Sequence, residues 1–324
     1  MLTFDADATR SALPFERLIV ALERMFVAGC EVPQRHSHTI DNAAAGSVIV
    51  LLMPAWQAGR YLGIKTVSVA ARNAERGLPG LYATYTLYDA TTGAPLASID
   101  GSEITSRRTA AASALAASRL ARRDSRRLLV VGAGRVASLL APAYRAVLPI
   151  AQVTIWDRKP EQAQSLASRL IALGFSAAAA RDLPAAAAQA DIVSCATLAT
   201  EPLIDGRWLR AGSHLDLIGS FTPAMREADD GCFTGASIYV DTDEALQKSG
   251  DLLGPMMRGV FARGDVRGTL ADLCRGSVAG RTADNERTVF KSVGTALEDL
   301  AAAILVYESA ATVNAAARQP DHRG

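Results

Sequence analysis

The sequence predicts an α/β fold: a doubly wound parallel sheet joined to a discontinuous α+β domain. Three observations carry this. Leu128–Val131 is a short apolar run rich in branched residues, as a strand buried on both faces should be, and it leads into Gly132-Ala-Gly134-Arg135-Val136-Ala137 and a helical pattern to about Val147. Further short apolar runs follow at the spacing of a doubly wound sheet: Val153–Trp156, Ile192–Ala196, His214–Ile218 and Ile238–Val240. Ahead of residue 105 the texture changes to alternating β-rich runs with turn signals, which indicates a mostly antiparallel region.

The glycine turn is the most informative stretch. Gly132 permits the tight turn, Gly134 lets backbone approach a pyrophosphate, and Ala137 is small enough for close helix–strand packing. The helix start offers unpaired N–H groups and a positive dipole end to phosphates. A glycine fingerprint alone also fits a ligand-free strand–helix turn. Here a second strand follows and ends in Asp157, near the separation of ~20 residues expected of a ribose-binding carboxylate. The reading is a Rossmann-type dinucleotide site for NAD(P)H, with Gly132, Gly134, Arg135, Val136, Asp157 and Arg158 at the cofactor. Thr197, just after a sheet strand, joins them.

Composition narrows the partners. With 324 residues, 49% of them hydrophobic, the chain is long enough for two cores. A net charge of +1, and arginines without interleaved aromatics, argue against nucleic acid. No apolar run approaches the ~20 residues that span a bilayer, and the acidic start MLTFDADATR is unlike a signal peptide. Cys30, Cys195, Cys232 and Cys274 are scattered, which fits reduced thiols in a cytoplasmic protein.

In chain order, Phe15–Phe26 is an amphipathic helix, and Val48–Met53 and Leu62–Val69 are strands, the latter carrying Lys65. Leu81–Tyr88 and Leu96–Ile99 form a hairpin around Asp89–Pro95, and Thr105–Arg122 turns helical. Glu161–Leu173 is a helix, and the alanine-rich 177–190 holds a short strand and a short helix. Thr288–Tyr307 reads as one long helix, and 318–324 as a frayed tail. The expected domains are 1–122 with 296–324 for substrate and dimerisation, and 123–295 for the dinucleotide.

Lys65 lies in an otherwise apolar or small strand, so it either snorkels to an edge or points into a cleft. Arg35 and Arg107-Arg108 come from other segments of the same domain. Arginine forks suit carboxylates, so Arg35, Lys65 and Arg108 could build a cationic pocket for a small carboxylate, whereas the blander reading of the arginine pair is a solvated helix start. His36 and His38 would share a strand face, but nothing nearby completes a metal site, and none is expected. Cys195 has no identifiable base and reads as a buried thiol.

Val-Pro-Gln-Arg35, Met53-Pro-Ala, Gly-Ile-Lys65, Asp89-Ala-Thr-Thr-Gly93, Ile104-Thr-Ser-Arg-Arg-Thr-Ala-Ala111, Val131-Gly-Ala-Gly134, Asp191-Ile-Val-Ser and Phe290-Lys-Ser-Val-Gly294 resemble the ornithine cyclodeaminase/mu-crystallin family, in family order over nearly the whole chain. Within it the sequence is most similar to the Δ1-pyrroline-2-carboxylate reductases. The resemblance implies a homodimer pairing its substrate-domain sheets, and a substrate carboxylate held by Arg35, Lys65 and Arg108. It also implies Gly219, Phe221 and Val293 at the cofactor. Cyclodeaminases carry an aspartate in Gly-Gly-Asp-x-Pro-Gly-Lys; here the stretch reads Gly219-Ser-Phe-Thr-Pro, with Phe221 at that place. A phenyl ring accepts no proton, so the expectation is hydride transfer to a cyclic ketimine. Lys65, or a water it holds, is the candidate proton donor. Alanine dehydrogenase or open-chain imino acid reductase, ornithine cyclodeaminase and a mu-crystallin-like binding protein are the alternatives.

Overall fold

In the computed structural model the chain divides into two compact units, Met1–Arg108 with Thr295–Gly324, and Thr109–Gly294. Residues 1–42 and 46–317 are described, so the expected tail at 318–324 lies outside them. The division falls inside a helix, where the sequence suggested a break after residue 122.

The first unit opens with β1 (Leu2–Phe4), α1 (Ala6–Ala12) and α2 (Phe15–Ala28). Apolar residues at helical spacing give α2 one buried face, made of Phe15, Leu18, Ile19, Leu22, Met25 and Phe26. Each contributes roughly 1.5–3 kcal/mol by leaving water. Then come β2 (His36–Ile40), β3 (Val48–Gln57), β4 (Tyr61–Val69), β5 (Leu81–Asp89) and β6 (Pro95–Asp100). The sheet runs β1-β6-β5-β4-β3-β2, antiparallel except where β1 joins β6. Alternation sends Met53, Ala55, Lys65, Val67, Tyr85, Leu87, Ala97 and Ile99 to the covered face. The opposite face carries Leu52, Pro54, Trp56, Leu62 and Ile64, all half-buried. Next in the chain is α3 (Gly101–Leu120), whose alanines from Ala110 to Ala117 are almost wholly buried.

The second unit contains β7 (Arg127–Val131), α4 (Ala137–Arg145), β8 (Gln152–Trp156), α5 (Pro160–Ala172), β9 (Ser176–Ala179), α6 (Leu183–Gln189), β10 (Ile192–Cys195) and β11 (His214–Leu217). Asp182 caps α6 by accepting from the Ala185 N–H at 3.0 Å, which turns the alanine run into a defined helix. The remainder is β12 (Ser237–Val240), α7 (Ala245–Lys248), α8 (Gly250–Met257), β13 (Val266–Thr269), α9 (Leu270–Arg275) and β14 (Thr288–Lys291). The strand order is β13-β12-β14-β11-β10-β7-β8-β9, every pair parallel. The order reverses between β7 and β10, the switch point where such sheets bind ligands.

The chain returns to the first unit with α10 (Ala296–Ala317), packed on α2, β3 and β4. The expected single helix over Thr288–Tyr307 is corrected here. Its first four residues are the buried strand β14, the turn through Gly294 (φ 78°) breaks the chain direction, and α10 starts only at Ala296. A short apolar run such as Val289-Phe290 satisfies either period, and tertiary pairing decides it.

Candidate functional site

Because the strands of the second unit are parallel, the loops after β7, β8, β10, β11 and β14 all leave one edge of the sheet. This edge collects Gly132, Gly134, Arg135, Val136, Asp157, Arg158, Thr197, Gly219, Phe221 and Val293. Gly132 has φ 105°, and a Cβ there would stand 2.7 Å from the Ala196 carbonyl oxygen, so no side chain fits. At Gly134 a Cβ would meet nothing within 4 Å. That open backbone at a strand–helix turn fits a dinucleotide pyrophosphate. Asp157 is half-buried at the end of β8; its Oδ2 accepts from the Ala133 N–H (2.9 Å) and its Oδ1 from the Lys159 N–H (2.8 Å). The carboxylate thereby fixes the glycine turn itself. Phe221 is 49% exposed.

A group of buried charges beneath these loops has no counterpart in the sequence reading. Glu227, fully buried, accepts from the Thr197 N–H (2.7 Å), the Thr197 hydroxyl (2.8 Å) and the Gly219 N–H (2.7 Å). It ties the loop after β10 to the loop after β11. Asp241 Oδ2 accepts from the Val293 and Gly294 N–H groups at 2.7 and 2.6 Å, and Asp251 Oδ1 from those of Glu227 and Ala228 at 2.8 and 3.1 Å. The buried Lys291 amine donates to the Leu217 carbonyl at 2.9 Å and stands 3.7 Å from Asp251. Burial pushes the Glu227 carboxyl up to about 7, against the pull of Lys291. In sequence these acids look like ordinary loop residues; only the fold shows which backbone they meet.

In the first unit, Lys65 of β4 and Arg108 of α3 converge on α10. Lys65 Nζ lies 2.6 Å from Asp299 Oδ2 and 3.3 Å from the Thr105 hydroxyl. Arg108 Nε donates to Asp299 Oδ1 at 2.9 Å and its Nη1 to Glu298 Oε2 at 2.6 Å. Lys65 is 2% and Arg108 6% exposed, so neither snorkelling nor a solvated helix start describes them. Two of the three expected cations thus stand in a mixed cluster with Glu298 and Asp299. Glu298 and Asp299 escaped notice because acids in the first turn of a helix are commonplace. Burial lowers the Lys65 pKa, with Asp299 opposing and Arg108 reinforcing the shift. For Asp299 burial acts upward, but Lys65 and Arg108 outweigh it and hold the carboxyl below its usual range. The two shifts pull the Lys65–Asp299 pair in opposite senses, and the reason is that Asp299 is shared by two cations. It stays ionised, and Lys65 is the more weakly held charge.

Neighbouring arginines divide in role. Arg107 lies over the Phe15 ring, 4.4 Å from its centroid, and donates to the Leu13 carbonyl at 2.8 Å, so it anchors the start of α2. Arg35 directly precedes β2. The β2–β3 register pairs His36 with Leu52; Arg35, half-buried, lies just outside these paired residues, and the neighbouring Met53 belongs to the row that continues to Lys65 and Tyr85. Gly63 also gains a reason: a Cβ there would stand 1.9 Å from the Tyr85 hydroxyl oxygen. His36 and His38 are exposed on an edge strand. Cys195 is fully buried and its thiol pKa pushed well up by burial, which suits packing rather than attack. Among the described residues no group of His, Cys, Asp and Glu could hold a metal ion, and no helix is long and apolar enough to cross a membrane.

Known proteins resemble this chain in sequence and fold. The chain is 44% identical over 275 residues to the Δ1-pyrroline-2-carboxylate reductase of Paracoccus denitrificans, covering 82% of this chain and 87% of that one. It is 33% identical to the Δ1-pyrroline-2-carboxylate reductase of Thermococcus litoralis solved with NADH and L-proline, with a TM-score of 0.89 over 97% of this chain and 98% of that one. An archaeal alanine dehydrogenase dimer with bound NAD is 29% identical, with a TM-score of 0.88 over 97% of each chain. The sequence profile of the ornithine cyclodeaminase/mu-crystallin family matches residues 20–314. This chain belongs to the ornithine cyclodeaminase/mu-crystallin family.

Proposed function

We propose that the protein is an NAD(P)H-dependent reductase of cyclic ketimines, converting Δ1-pyrroline-2-carboxylate to L-proline and accepting the six-membered homologue, which gives L-pipecolate. The observation that carries this reading is the convergence of buried Lys65 and Arg108, in a chain 44% identical to a reductase of that substrate. Arg35, Lys65 and Arg108 bind the substrate carboxylate and so fix the position of C2. Gly132, Gly134, Arg135 and Val136 cradle the pyrophosphate, and Asp157 takes the adenosine ribose, favouring NADH. The exposed Arg158 beside it tolerates a 2′-phosphate. Thr197, Gly219, Phe221 and Val293 complete the cofactor edge. The bound nicotinamide supplies the hydride for C2. Lys65, its pKa lowered by burial, or a water it holds, is the candidate donor for any ring nitrogen that arrives without its proton. Phe221 replaces the acid a cyclodeaminase needs. The apolar face of β3 and β4, with Leu52, Pro54, Trp56, Leu62 and Ile64, suits pairing with a second copy.

The test is NADH and NADPH oxidation with five- and six-membered ketimines, with pyruvate plus ammonia, and ammonia release from ornithine. Turnover confined to the ketimines is expected. No turnover with either ketimine, from folded protein that binds the dinucleotide, sinks the proposal. The alanine dehydrogenase likeness makes pyruvate the informative rival, and a rate that needs free ammonia would favour it.

A further inference from the structure

Lys65 and Arg108 arrive at the substrate site already matched. Asp299 contacts both, at 2.6 and 2.9 Å, and Glu298 contacts Arg108 at 2.6 Å. Side-chain exposure is 3% for Lys65, 7% for Arg108 and zero for both acids. A pocket for a bare anion would keep its cations uncompensated. Added to these four buried side chains, an anion brings net negative charge beside two carboxylates where screening is weak; Arg35, only half-buried, lies outside this buried set. A ligand carrying both signs meets the cluster without that penalty, its carboxylate toward Lys65 and Arg108 and a cationic N–H toward Glu298 and Asp299. Another observation points to a ligand. The Tyr85 hydroxyl, on a residue 1% exposed, has no hydrogen-bond partner among the described residues. It stands over Gly63, on the same face of β4 as Lys65, and burial first, then Asp299, push its pKa up. A buried hydroxyl left without a partner is costly, and a ligand heteroatom would satisfy it.

We propose that Glu298 and Asp299 recognise a protonated ring nitrogen, so that the form taken from solution is the zwitterionic iminium carboxylate and not the imine carboxylate anion. This rests on the reductase reading. Hydride addition then forms a C–H bond at C2, and the π pair of the C=N bond becomes the nitrogen lone pair. The nitrogen keeps the proton it brought, and the neutral amine takes a second proton from water on release. Lys65 is a binding group in this scheme and gives up no proton during hydride addition.

The test compares L-proline with cyclopentanecarboxylate, which has the same ring and carboxylate but CH2 in place of NH2⁺. Binding is read by calorimetry on the intact protein, which needs no turnover. L-Proline is expected to bind at least about ten-fold more tightly, the ratio for roughly 1.4 kcal/mol. The gap should narrow to about three-fold or less, roughly 0.7 kcal/mol, in Glu298→Gln and in Asp299→Asn. Equal or tighter binding of cyclopentanecarboxylate by the wild type overturns the proposal, as does failure to bind either ligand. A gap unchanged in every variant that folds also overturns it, and Glu298→Gln serves if Asp299→Asn does not fold. A proline preference that persists without ketimine turnover would instead sink the reductase reading and leave the zwitterion recognition standing.

Discussion

In the antiparallel unit, buried charges face one another: Lys65 and Arg108 meet Asp299 and Glu298 side chain to side chain. At the loop edge of the parallel unit, three buried or half-buried carboxylates face mainly backbone. Asp157 holds the glycine turn, Glu227 joins the Thr197 and Gly219 loops, and Asp241 holds Val293 and Gly294. Under the proposed function, the difference follows from what each unit presents to its ligand. A diphosphate is met by main-chain N–H groups, so loop shape must be fixed, and an acid accepting two or three N–H bonds does that without offering a competing cation. A small charged metabolite is met by side chains, and those must be held at set positions by partners of opposite sign.

The contrast fails most visibly if Arg108 is dispensable. Arg108→Ala leaves Glu298 and Asp299 buried with one cation between them and should cost about 3–5 kcal/mol of stability, the range for breaking a buried pair. A denaturant midpoint unchanged from wild type would show that the cluster is not coupled. Lys65→Ala should lower kcat/KM by about 2–4 kcal/mol with little change in dinucleotide affinity. Equal losses in both parameters would erase the division of labour between the units.

Glu227→Gln probes the other side. It keeps the shape but offers one acceptor oxygen instead of two, so dinucleotide affinity should fall by about 1–2 kcal/mol, measured by fluorescence titration. The variant also carries a pH signature. Glu227 binds its proton more tightly folded (about 7) than unfolded (4.5), so its contribution is greatest below about 4.5 and is lost as pH rises through 7. Buried His214 has the opposite sign: its pKa falls from 6.5 to about 3, because burial and then Arg281 disfavour the cation, so stability is lost as pH drops below 6.5. The two slopes oppose each other in the wild type between about 4.5 and 6.5. Removing Glu227 should therefore make the melting temperature fall more steeply with acid. A variant curve parallel to the wild-type curve would rule this out.

Smaller effects sharpen the cofactor edge. Asp157→Ala should lower NADH use more than NADPH use, and an equal loss would reassign the residue to the glycine turn alone. Phe221→Asp should slow ketimine reduction before it yields any ammonia from ornithine. The unmodified protein should leave ornithine untouched, since a cation–π contact with the ring returns only ~0.5–2 kcal/mol against a larger cost of desolvating the ammonium. Proline formation from ornithine would overturn the reductase assignment.

The parallel sheet was legible because most of its strands are short apolar runs closed by a turn, and the glycine turn carries its own stereochemistry; β13, Val-Arg-Gly-Thr, has no such run and was not seen. Lys65 stood out as a charge in an apolar or small-residue strand, and Arg108 as one of an arginine pair opening a helix. Their partners did not, since Glu298 and Asp299 open α10 as acids open many solvated helices. Glu227 lies in a loop with no periodicity to mark it, and its meaning depends on β10 and β11 ending side by side. β14 was misread because four buried residues contain too little pattern to separate strand from helix.

The placement of β14 has a consequence for how the chain matures. It is the last strand made, yet it sits between β11 and β12, so the sheet stays split until residue 291 has been synthesised. The contiguous half from β7 to β11 can pair earlier, but its β11 edge stays open, and β12 with β13 has no seat. The first unit waits longer still, for α10. A nascent chain therefore carries an unpaired strand edge and an uncovered sheet face until β14 and α10 emerge, a period in which self-association competes with folding. Early termination should give aggregates and not a smaller working domain.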